Sequence, residues 1–406
     1  MRATSLLRRL LQFRRVSVDR VHEEHGTIVV SISVRGRSRC SQCGRKCSRY
    51  DRLPSRRWRH LDVGAWEIEL AASLWRVDCH HCGVTVEQVS FAEPNSGFTR
   101  PFEDLVGWLA QRCDKTMISE FLRIAWRTVG AILERVIARH RQAIDFSTLR
   151  AISVDELSWR KGHHYLTLVT DLERSRVIAV MEGRSAESLA AFFREIGPEN
   201  CARIRHVSID MSAAWEKAIG EFLPNAELCY DRFHVLRLLS DAVDEVRREE
   251  WRRTQGTEEG ESTKHTRYAV LKRPWNVTPR QQETLSALPR TNRRLYRAYL
   301  LKEAFAGIYD RLLLPLWARR RMKEWLSWAK RSQLRAFRRV ARTIQQHLEG
   351  ILAFFNTGYT TGMSEGQNTK ARLATRQAYG FHTAEAVRAM IELRCSRLNI
   401  PLPRMP

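Results

Sequence analysis

Long apolar runs are missing from this sequence, and acidic residues are few relative to basic ones. No apolar run approaches the ~18 residues that a membrane-spanning helix needs, so a membrane is the less favoured partner. Asp and Glu number 45 against 69 Lys and Arg, which gives a formal net charge of +24. A chain this basic usually binds a polyanion, and the charge alone does not distinguish DNA, RNA and membrane.

A signal peptide is also missing from the N-terminal segment MRATSLLRRLLQFRRV, which has neither an unbroken apolar core nor a small-residue cleavage site. The segment predicts an amphipathic helix, and we expect the chain to stay in a reducing cytoplasm. In that compartment the nine cysteines are metal ligands or buried thiols rather than disulfides.

The length of 406 residues predicts two to four modules, with no internal repeat. Hydrophobic residues make up 43% of the chain, enough to bury real cores. The polar, Gly-rich segment 254–265 predicts a mobile loop. Changes in sequence texture indicate a multidomain α+β protein with five segments: a cysteine-rich module (1–95), a helical segment (100–145), alternating strands and helices (148–235), a basic helical region (236–360) and final helices with a tail (361–406).

Two C-x-x-C pairs stand in the first segment, Cys40 with Cys43 and Cys79 with Cys82. Four thiolates at this spacing can surround a zinc ion tetrahedrally, and the strand-like run between the pairs fits a zinc ribbon. Such a zinc would be structural, because protein fills all four positions. The alternative is a set of unrelated core cysteines, and four other residues could replace one ligand: Cys47, His60, His80 and His81.

Apolar residues at helical spacing run from Met117 to Ile137, with a break near 124–126. The pattern predicts a helix-turn-helix whose second helix begins near Arg127. Arg127 and Thr128 would then lie at the end of the helix that reads bases. An ordinary helical hairpin between two domains is the alternative.

Two predicted strands end in aspartate, AISVDEL at Asp155 and HVSIDMS at Asp210. The surrounding order is β-β-β-α-β-α-β-α, which is the order of an RNase H-like domain. The first and fourth strands are neighbours in such a sheet, so the two carboxylates would meet. Neighbouring carboxylates repel unless a cation lies between them, and magnesium prefers oxygen ligands. The alternative is that the aspartates only cap their strands or the helices that follow.

The predicted metal site would promote phosphoryl transfer. Two magnesium ions ~4 Å apart would activate a water or a 3′-hydroxyl and stabilise the leaving oxygen. Such a site usually needs a third carboxylate. Asp231 and His234, in DRFH after the fifth strand, could lie near it, although His234 could equally be a capping or core histidine.

Basic residues dominate the helical region between Arg319 and Arg342, with Trp and Phe interleaved. We expect most of the tryptophans to be core residues and many of the arginines to neutralise DNA phosphates, among them Arg335, Arg338 and Arg339. The alternative is a solvated basic helix.

Asp155, Asp210 and Glu365, with DRFHV and the long motif SEGQNTKARLATRQAYGFHTAEA around the glutamate, resemble the DDE transposases of bacterial insertion sequences. The closest similarity is to the ISL-three family, over nearly the whole chain. That resemblance implies a zinc-binding module, a helix-turn-helix and an RNase H-like catalytic domain with a helical insertion. It assigns the three acids as the ligands of magnesium, with manganese as the alternative ion.

The resemblance also implies the partners: double-stranded DNA, both the terminal inverted repeats and the target. We expect a homo-oligomer, a dimer on DNA, associated with the nucleoid. Glu365, Asn368, Arg372 and Arg376 fall on one face of a predicted helix. Its first turn would complete the metal site, and its basic residues, with Lys370, would face DNA. Two alternatives stay open: a transposase-derived regulator without catalysis, and an RNase H-like structure-specific nuclease.

Overall fold

A computed structural model of the chain describes residues 3–11, 13–141, 144–311, 314–357, 362–377 and 383–402. Within helices, the side chains of residues 3, 259, 262, 357, 362–365 and 377 lie outside the description. The chain forms two compact units, Met1–Ile144 with Arg397–Pro406, and Asp145–Ser396. Among the described residues, no helix combines the length and the apolar character that crossing a membrane requires.

The first unit begins with the predicted amphipathic helix and a five-stranded sheet. The strand order is β1-β2-β4-β3, with β5 paired to β4, and only the β2–β4 pair is parallel. Its core contains Trp58, Leu70 and Phe91. The elements are α1 (Ala3–Leu11), β1 (Val16–Glu24), β2 (Thr27–Val34), β3 (Ser48–Val63), β4 (Trp66–Cys79) and β5 (Gly83–Val86).

Three helices follow the sheet in the same unit: α2 (Arg100–Ala110), α3 (Lys115–Leu122) and α4 (Trp126–Arg141). The carboxylate of Asp114 accepts the N–H of Met117 at 2.9 Å and so caps the start of α3. Arg123 ends α3 in the left-handed conformation, with φ of 55°. The predicted break between the two helices is therefore confirmed, and α4 begins one residue before Arg127.

The second unit contains the predicted β-β-β-α-β-α-β-α order with one additional short helix. The sheet order is β10-β9-β6-β7-β8, and β6 pairs in parallel with β9, so the prediction that the first and fourth strands are neighbours is confirmed. The elements are β6 (Ala151–Arg160), β7 (His164–Asp171), β8 (Arg176–Glu182), α5 (Ala186–Ile196), α6 (Pro198–Cys201), β9 (His206–Ile209), α7 (Ala213–Phe222) and β10 (Glu227–Tyr230).

A helical region follows β10, as the sequence predicts, and it shares a core with one face of the sheet. Trp325 is buried in that core and Trp328 packs against it, in agreement with the expectation for the tryptophans between Arg319 and Arg342. The helices are α8 (Arg232–Arg253), α9 (Glu258–Lys264), α10 (Arg267–Leu271), α11 (Pro279–Thr291), α12 (Arg293–Asp310), α13 (Pro315–Arg331), α14 (Arg335–Gln346) and α15 (Leu348–Thr357).

The prediction of a loop over 254–265 is wrong, because α9 forms there. The hydroxyl of Thr257 accepts the N–H of Gly260 at 3.2 Å and caps the helix. A good N-cap therefore outweighs the low helix propensity of this polar segment.

The last two helices, α16 (Gly362–Gln377) and α17 (Ala384–Cys395), cover the other face of the sheet. Ala371 of α16 and Ile391 of α17 pack with Leu157 and Leu168. Side chains alternate along a strand, so Asp155 points to the same face as Leu157, toward these helices.

Gly350 lies where α15 meets β10, and its replacement tests how closely the helix packs on the strand. A Cβ at this position would overlap two ring carbons of Tyr230. The Tyr230 hydroxyl donates to Glu216 at 3.0 Å and lies 2.9 Å from Nδ1 of His347, so the ring is not free to move. We expect Gly350→Ala to lower the melting temperature, because overpacking costs about 1–3 kcal/mol and exceeds the ~1 kcal/mol gain in helix propensity.

Gly307 in α12 is the matched control, because nothing lies within 4 Å of a Cβ built there. Gly307→Ala should raise the melting temperature in the same thermal denaturation experiment. Equal shifts for the two variants would contradict the close contact with Tyr230.

Candidate active site and metal centre

Strand register places Asp155 and Asp210 side by side. Ser153 of β6 pairs with Ser208 of β9 in a parallel ladder. Each aspartate follows its serine by two residues, so the carboxylates lie at the same level and on the same face. Asp231 follows β10 at the next position, where its N–H bonds the carbonyl of Ile209 at 2.8 Å.

Burial and neighbouring negative charges disfavour the ionised forms of the Asp155 and Asp210 carboxylates. Burial is the largest cause that raises the pKa of Asp155, and the charge of Asp231 adds to it. Burial likewise raises the pKa of Asp210 to about 6, with the charges of Glu156 and Asp155 contributing. One buried oxygen of Asp210, Oδ1, has no hydrogen-bond partner among the described residues. Two desolvated acids with an unsatisfied oxygen provide the donor set and the negative charge that a divalent cation would neutralise.

His234 lies beside this pair. The carboxylate of Asp231 caps α8 by accepting the N–H of Phe233 at 2.9 Å, and its other oxygen lies 3.9 Å from Nε2 of His234. The charge of His234 lowers the pKa of both Asp155 and Asp210. A protonated His234 would therefore favour the ionised form of the acids.

Helix α16 contributes an amide to Asp155. Nδ2 of Asn368 donates a short hydrogen bond to Oδ2 of Asp155, while Oδ1 accepts the N–H of Glu156 at 2.7 Å. Gln367 anchors the helix through a hydrogen bond from Nε2 to the carbonyl of Ser175, at 2.5 Å. The charge of Arg372 also lowers the pKa of Asp155.

Glu365 belongs to α16, three positions before Asn368. On a helix this spacing puts the two residues on one face, one turn apart. The Glu365 side chain itself lies outside the described residues. Of the basic residues predicted on this helix, Lys370, Arg372 and Arg376 are all exposed.

Four sulfur atoms come together in the first unit. The ligand atoms of Cys40, Cys43, Cys79 and Cys82 all lie within 4.8 Å of one another. A hydrogen bond from the Thr85 hydroxyl is the largest cause that lowers the pKa of Cys40, to about 6, and desolvation raises the pKa of Cys82. Backbone hydrogen bonds from His81 and Cys82 also lower the pKa of Cys79. A cluster of thiols with two easily ionised members fits a soft divalent cation such as zinc.

A glycine follows each C-x-x-C pair, and it indicates a turn that the cysteine spacing alone does not predict. Gly44 and Gly83 have φ of 70° and 71°, in the left-handed region that favours glycine. In the first turn, the N–H of Gln42 also donates to the Cys40 sulfur at 3.4 Å. The repeated C-x-x-C-G sequence thus specifies the two turns as well as the four ligands.

The substitute ligands considered for the zinc lie outside this cluster. His60 is buried, bonds Thr99 Oγ1 at 2.8 Å, and its pKa is lowered to about 4 by burial, so it is a neutral core histidine. The Cys47 thiol donates to the carbonyl of Arg45 at 3.3 Å. His80 and His81 are exposed.

The predicted DNA-facing residues differ in exposure and pairing. Arg127 is exposed and Thr128 half-buried in the first turn of α4. Arg335, Arg338 and Arg339 are exposed on α14, whose other face is buried. Arg339 forms a close ion pair with Glu245, so its charge is partly neutralised within the protein.

The raised pKa of Asp210 gives a pH dependence. Between about 4 and about 6 the folded protein holds a proton that the unfolded chain has released, because the pKa rises from 3.8 to about 6. Asp210 therefore destabilises the metal-free fold increasingly as pH rises through this window. As pH rises over this range in magnesium-free buffer, we expect the melting temperature of Asp210→Asn to increase relative to that of the wild type. A difference that stays constant with pH would contradict the raised pKa.

Comparisons with known proteins agree with the resemblance seen in the sequence. A family model described as "Transposase" matches residues 152–391, and the "Helix-turn-helix domain of transposase family ISL3" matches residues 87–137. The "Transposase for insertion sequence element IS1557" of Mycobacterium tuberculosis is 38% identical over 389 residues, covering 90% of this chain and 87% of the relative.

A second relative, the "Transposase for insertion sequence element IS1001" of Bordetella parapertussis, is 28% identical over 351 residues, covering 85% of this chain and 86% of the relative. The transposase model matches more than half of the chain, including both aspartates and α16. This chain therefore belongs to the ISL3 family of transposases.

Proposed function

We propose that this protein binds the terminal inverted repeats of an insertion sequence and catalyses metal-dependent strand cleavage and strand transfer. The observation that carries the proposal is the placement of Asp155 and Asp210 on neighbouring parallel strands, against the helix that bears Asn368 and Glu365. The sheet order with three antiparallel and two further parallel strands supports an RNase H-like assignment of this unit.

Asp155, Asp210 and Glu365 would hold magnesium or manganese. The bound ions would supply Lewis-acid activation of the attacking oxygen and stabilise the leaving oxygen. Asn368 fixes the orientation of the Asp155 carboxylate through its hydrogen bond. His234 and Arg372 favour its ionised form. The water or the 3′-hydroxyl then attacks phosphorus in line with the P–O bond that breaks, so one set of residues serves cleavage and joining.

The remaining residues of the predicted site, all outside the metal centre, would bind DNA. Arg127 and Thr128 lie where the second helix of a helix-turn-helix reads base edges. Arg335 and Arg338 on α14, with Lys370, Arg372 and Arg376 on α16, present exposed charge for backbone phosphates. Arg339 would contribute less, because it already pairs with Glu245.

Zinc held by the four cysteines would stabilise the first unit and leave no open position for water. Two element ends must be joined in one reaction, so the active assembly would be a homo-oligomer, with a dimer as the simplest form. The five sequence segments remain our proposal for the domain boundaries.

A strand-transfer assay tests this function. A labelled duplex containing the DNA that flanks the gene is incubated with the full chain, magnesium and a plasmid target. We expect the labelled 3′ end to become joined to the plasmid. Cleavage without joining would favour a structure-specific nuclease, and specific binding without cleavage would favour a regulator.

A further inference from the structure

A cavity of about 260 Å³ in the first unit is lined by arginines that converge from separate segments. They come from the turn before β1, the loop after β2 and the start of α2. The arginines are Arg14, Arg15, Arg35, Arg37, Arg39 and Arg100. We call this cavity the arginine pocket.

Most of the charge in the arginine pocket is not neutralised by the protein. Within the described part of the chain, Arg14, Arg15, Arg35 and Arg37 make no ion pair, and all four are exposed. Arg100 pairs with Glu93, and Arg39 donates to the carbonyl of Gly44 at 2.8 Å. The one acid in the lining, Glu87, is buried and accepts the N–H of Trp75 at 2.9 Å.

Hydrogen bonds to main-chain carbonyls hold the walls together. The N–H of Arg35 donates to the carbonyl of Arg15 at 2.8 Å, and the N–H of Gln88 donates to the carbonyl of Arg39 at 2.8 Å. The hydroxyl of Ser90 donates to the carbonyl of Arg14, also at 2.8 Å. Four exposed guanidinium groups are thus anchored on a fixed backbone, and the cost of ordering them on a ligand is reduced.

We infer that the arginine pocket binds a phosphodiester group of the DNA backbone. The inference rests on the proposed function and adds a backbone contact in the first unit to the base contacts expected of Arg127 and Thr128. Guanidinium groups donate two parallel hydrogen bonds to phosphate oxygens, and their charge does not depend on pH in the physiological range. Backbone contacts of this kind fix the register of a protein on duplex DNA without reading sequence.

The surroundings of the arginine pocket favour a polymer over an isolated anion. A cleft of about 460 Å³ beside the cysteine cluster shares Arg37 with the pocket and adds Arg45 and Lys46. A further cleft on the N-terminal side shares Arg14, Arg15 and Arg35 and adds Arg8. Positive charge therefore continues on both sides of the pocket, as the path of a nucleic acid backbone requires.

The double variant Arg35→Gln/Arg37→Gln tests the inference in the full chain, by fluorescence anisotropy with end DNA across a salt series. Each phosphate contact contributes about 0.9 to the slope of log affinity against log salt, so losing one lowers the slope by about 1. The affinity ratio between 50 and 200 mM salt should then shrink by about 3.5-fold. The matched control is Arg57→Gln/Arg76→Gln, which removes the same charge from exposed arginines of this unit that are paired to Glu69 and Asp51.

A scan of single methylphosphonates along the end DNA locates the contact. Wild type and control should share a phosphate at which neutralisation weakens binding, and the pocket variant should lose sensitivity there alone. A pocket variant with the wild-type slope and scan would overturn the inference while leaving DNA binding intact. Failure of the wild type to bind end DNA would instead overturn the proposed function, and the inference with it.

Two other anions are separated by the same titration. Inorganic phosphate that binds the wild type and not the pocket variant, while the two proteins share the same DNA affinity and salt slope, would assign the pocket to free phosphate. A change of slope seen with an RNA duplex of the same sequence but not with DNA would assign it to RNA. Either result would overturn the inference.

Discussion

Replacing either half-buried aspartate, by Asp155→Asn or Asp210→Asn, is expected to reduce magnesium-dependent cleavage of end DNA by about 10³-fold or more. Loss of a carboxylate ligand removes several kcal/mol of transition-state stabilisation, and each 1.36 kcal/mol is tenfold in rate. DNA binding should persist, because neither residue lies in the helix-turn-helix or among the exposed arginines. Single-turnover cleavage and anisotropy titration measure the two effects separately.

Glu156→Gln is the matched control for these variants. Glu156 follows Asp155 on β6, points to the opposite face of the strand and pairs with Arg184 at 3.3 Å. Its replacement changes the charge by the same amount at almost the same place, and cleavage should stay within a few-fold of wild type. Equal losses in all three variants would show that net charge, and not ligation by the two aspartates, determines the rate.

The position of both aspartates could be predicted from the sequence because it depends on two regular features. Alternation along β6 fixes the face of Asp155, and the β-β-β-α-β order makes β6 and β9 neighbours. The contact of Asp171 at the end of β7 is local in the same way, because its buried carboxylate accepts the N–H of Arg174, three residues on, at 3.1 Å.

Contacts between distant segments could not be predicted in the same way. Asn368 reaches Asp155 across 213 positions of sequence, and His347 reaches Tyr230 across 117. These pairs depend on how α15 and α16 pack on the sheet, which no local periodicity determines. Helical spacing in α16 predicts that Asn368 lies on the same face as Glu365. That Asn368 bonds Asp155 is seen only in the folded chain. The arginine pocket has the same origin, because its walls come from four separate segments.

Loss of zinc is expected to unfold the cysteine-bearing part of the first unit. Binding of structural zinc contributes about 10–16 kcal/mol in zinc-finger peptides at neutral pH, a free energy comparable to that of a whole domain. Cys40 and Cys43 lie before β3, and Cys79 and Cys82 lie at the turn between β4 and β5. Four thiolates without a cation repel one another. Chelation should therefore abolish amide-exchange protection in β3, β4 and β5, and end-DNA affinity should fall at the same time.

Cys79→Ser and Cys47→Ser separate the metal from a general need for thiols. Cys79 is buried within the cluster, whereas Cys47 is not one of the four, although desolvation and the neighbouring Cys79 raise its pKa. Atomic absorption should find one zinc per chain in the wild type and in Cys47→Ser, and much less in Cys79→Ser. The second unit has its own core, so its amide protection should survive chelation. Full zinc content in Cys79→Ser would mean that the four cysteines are core thiols and not a metal centre.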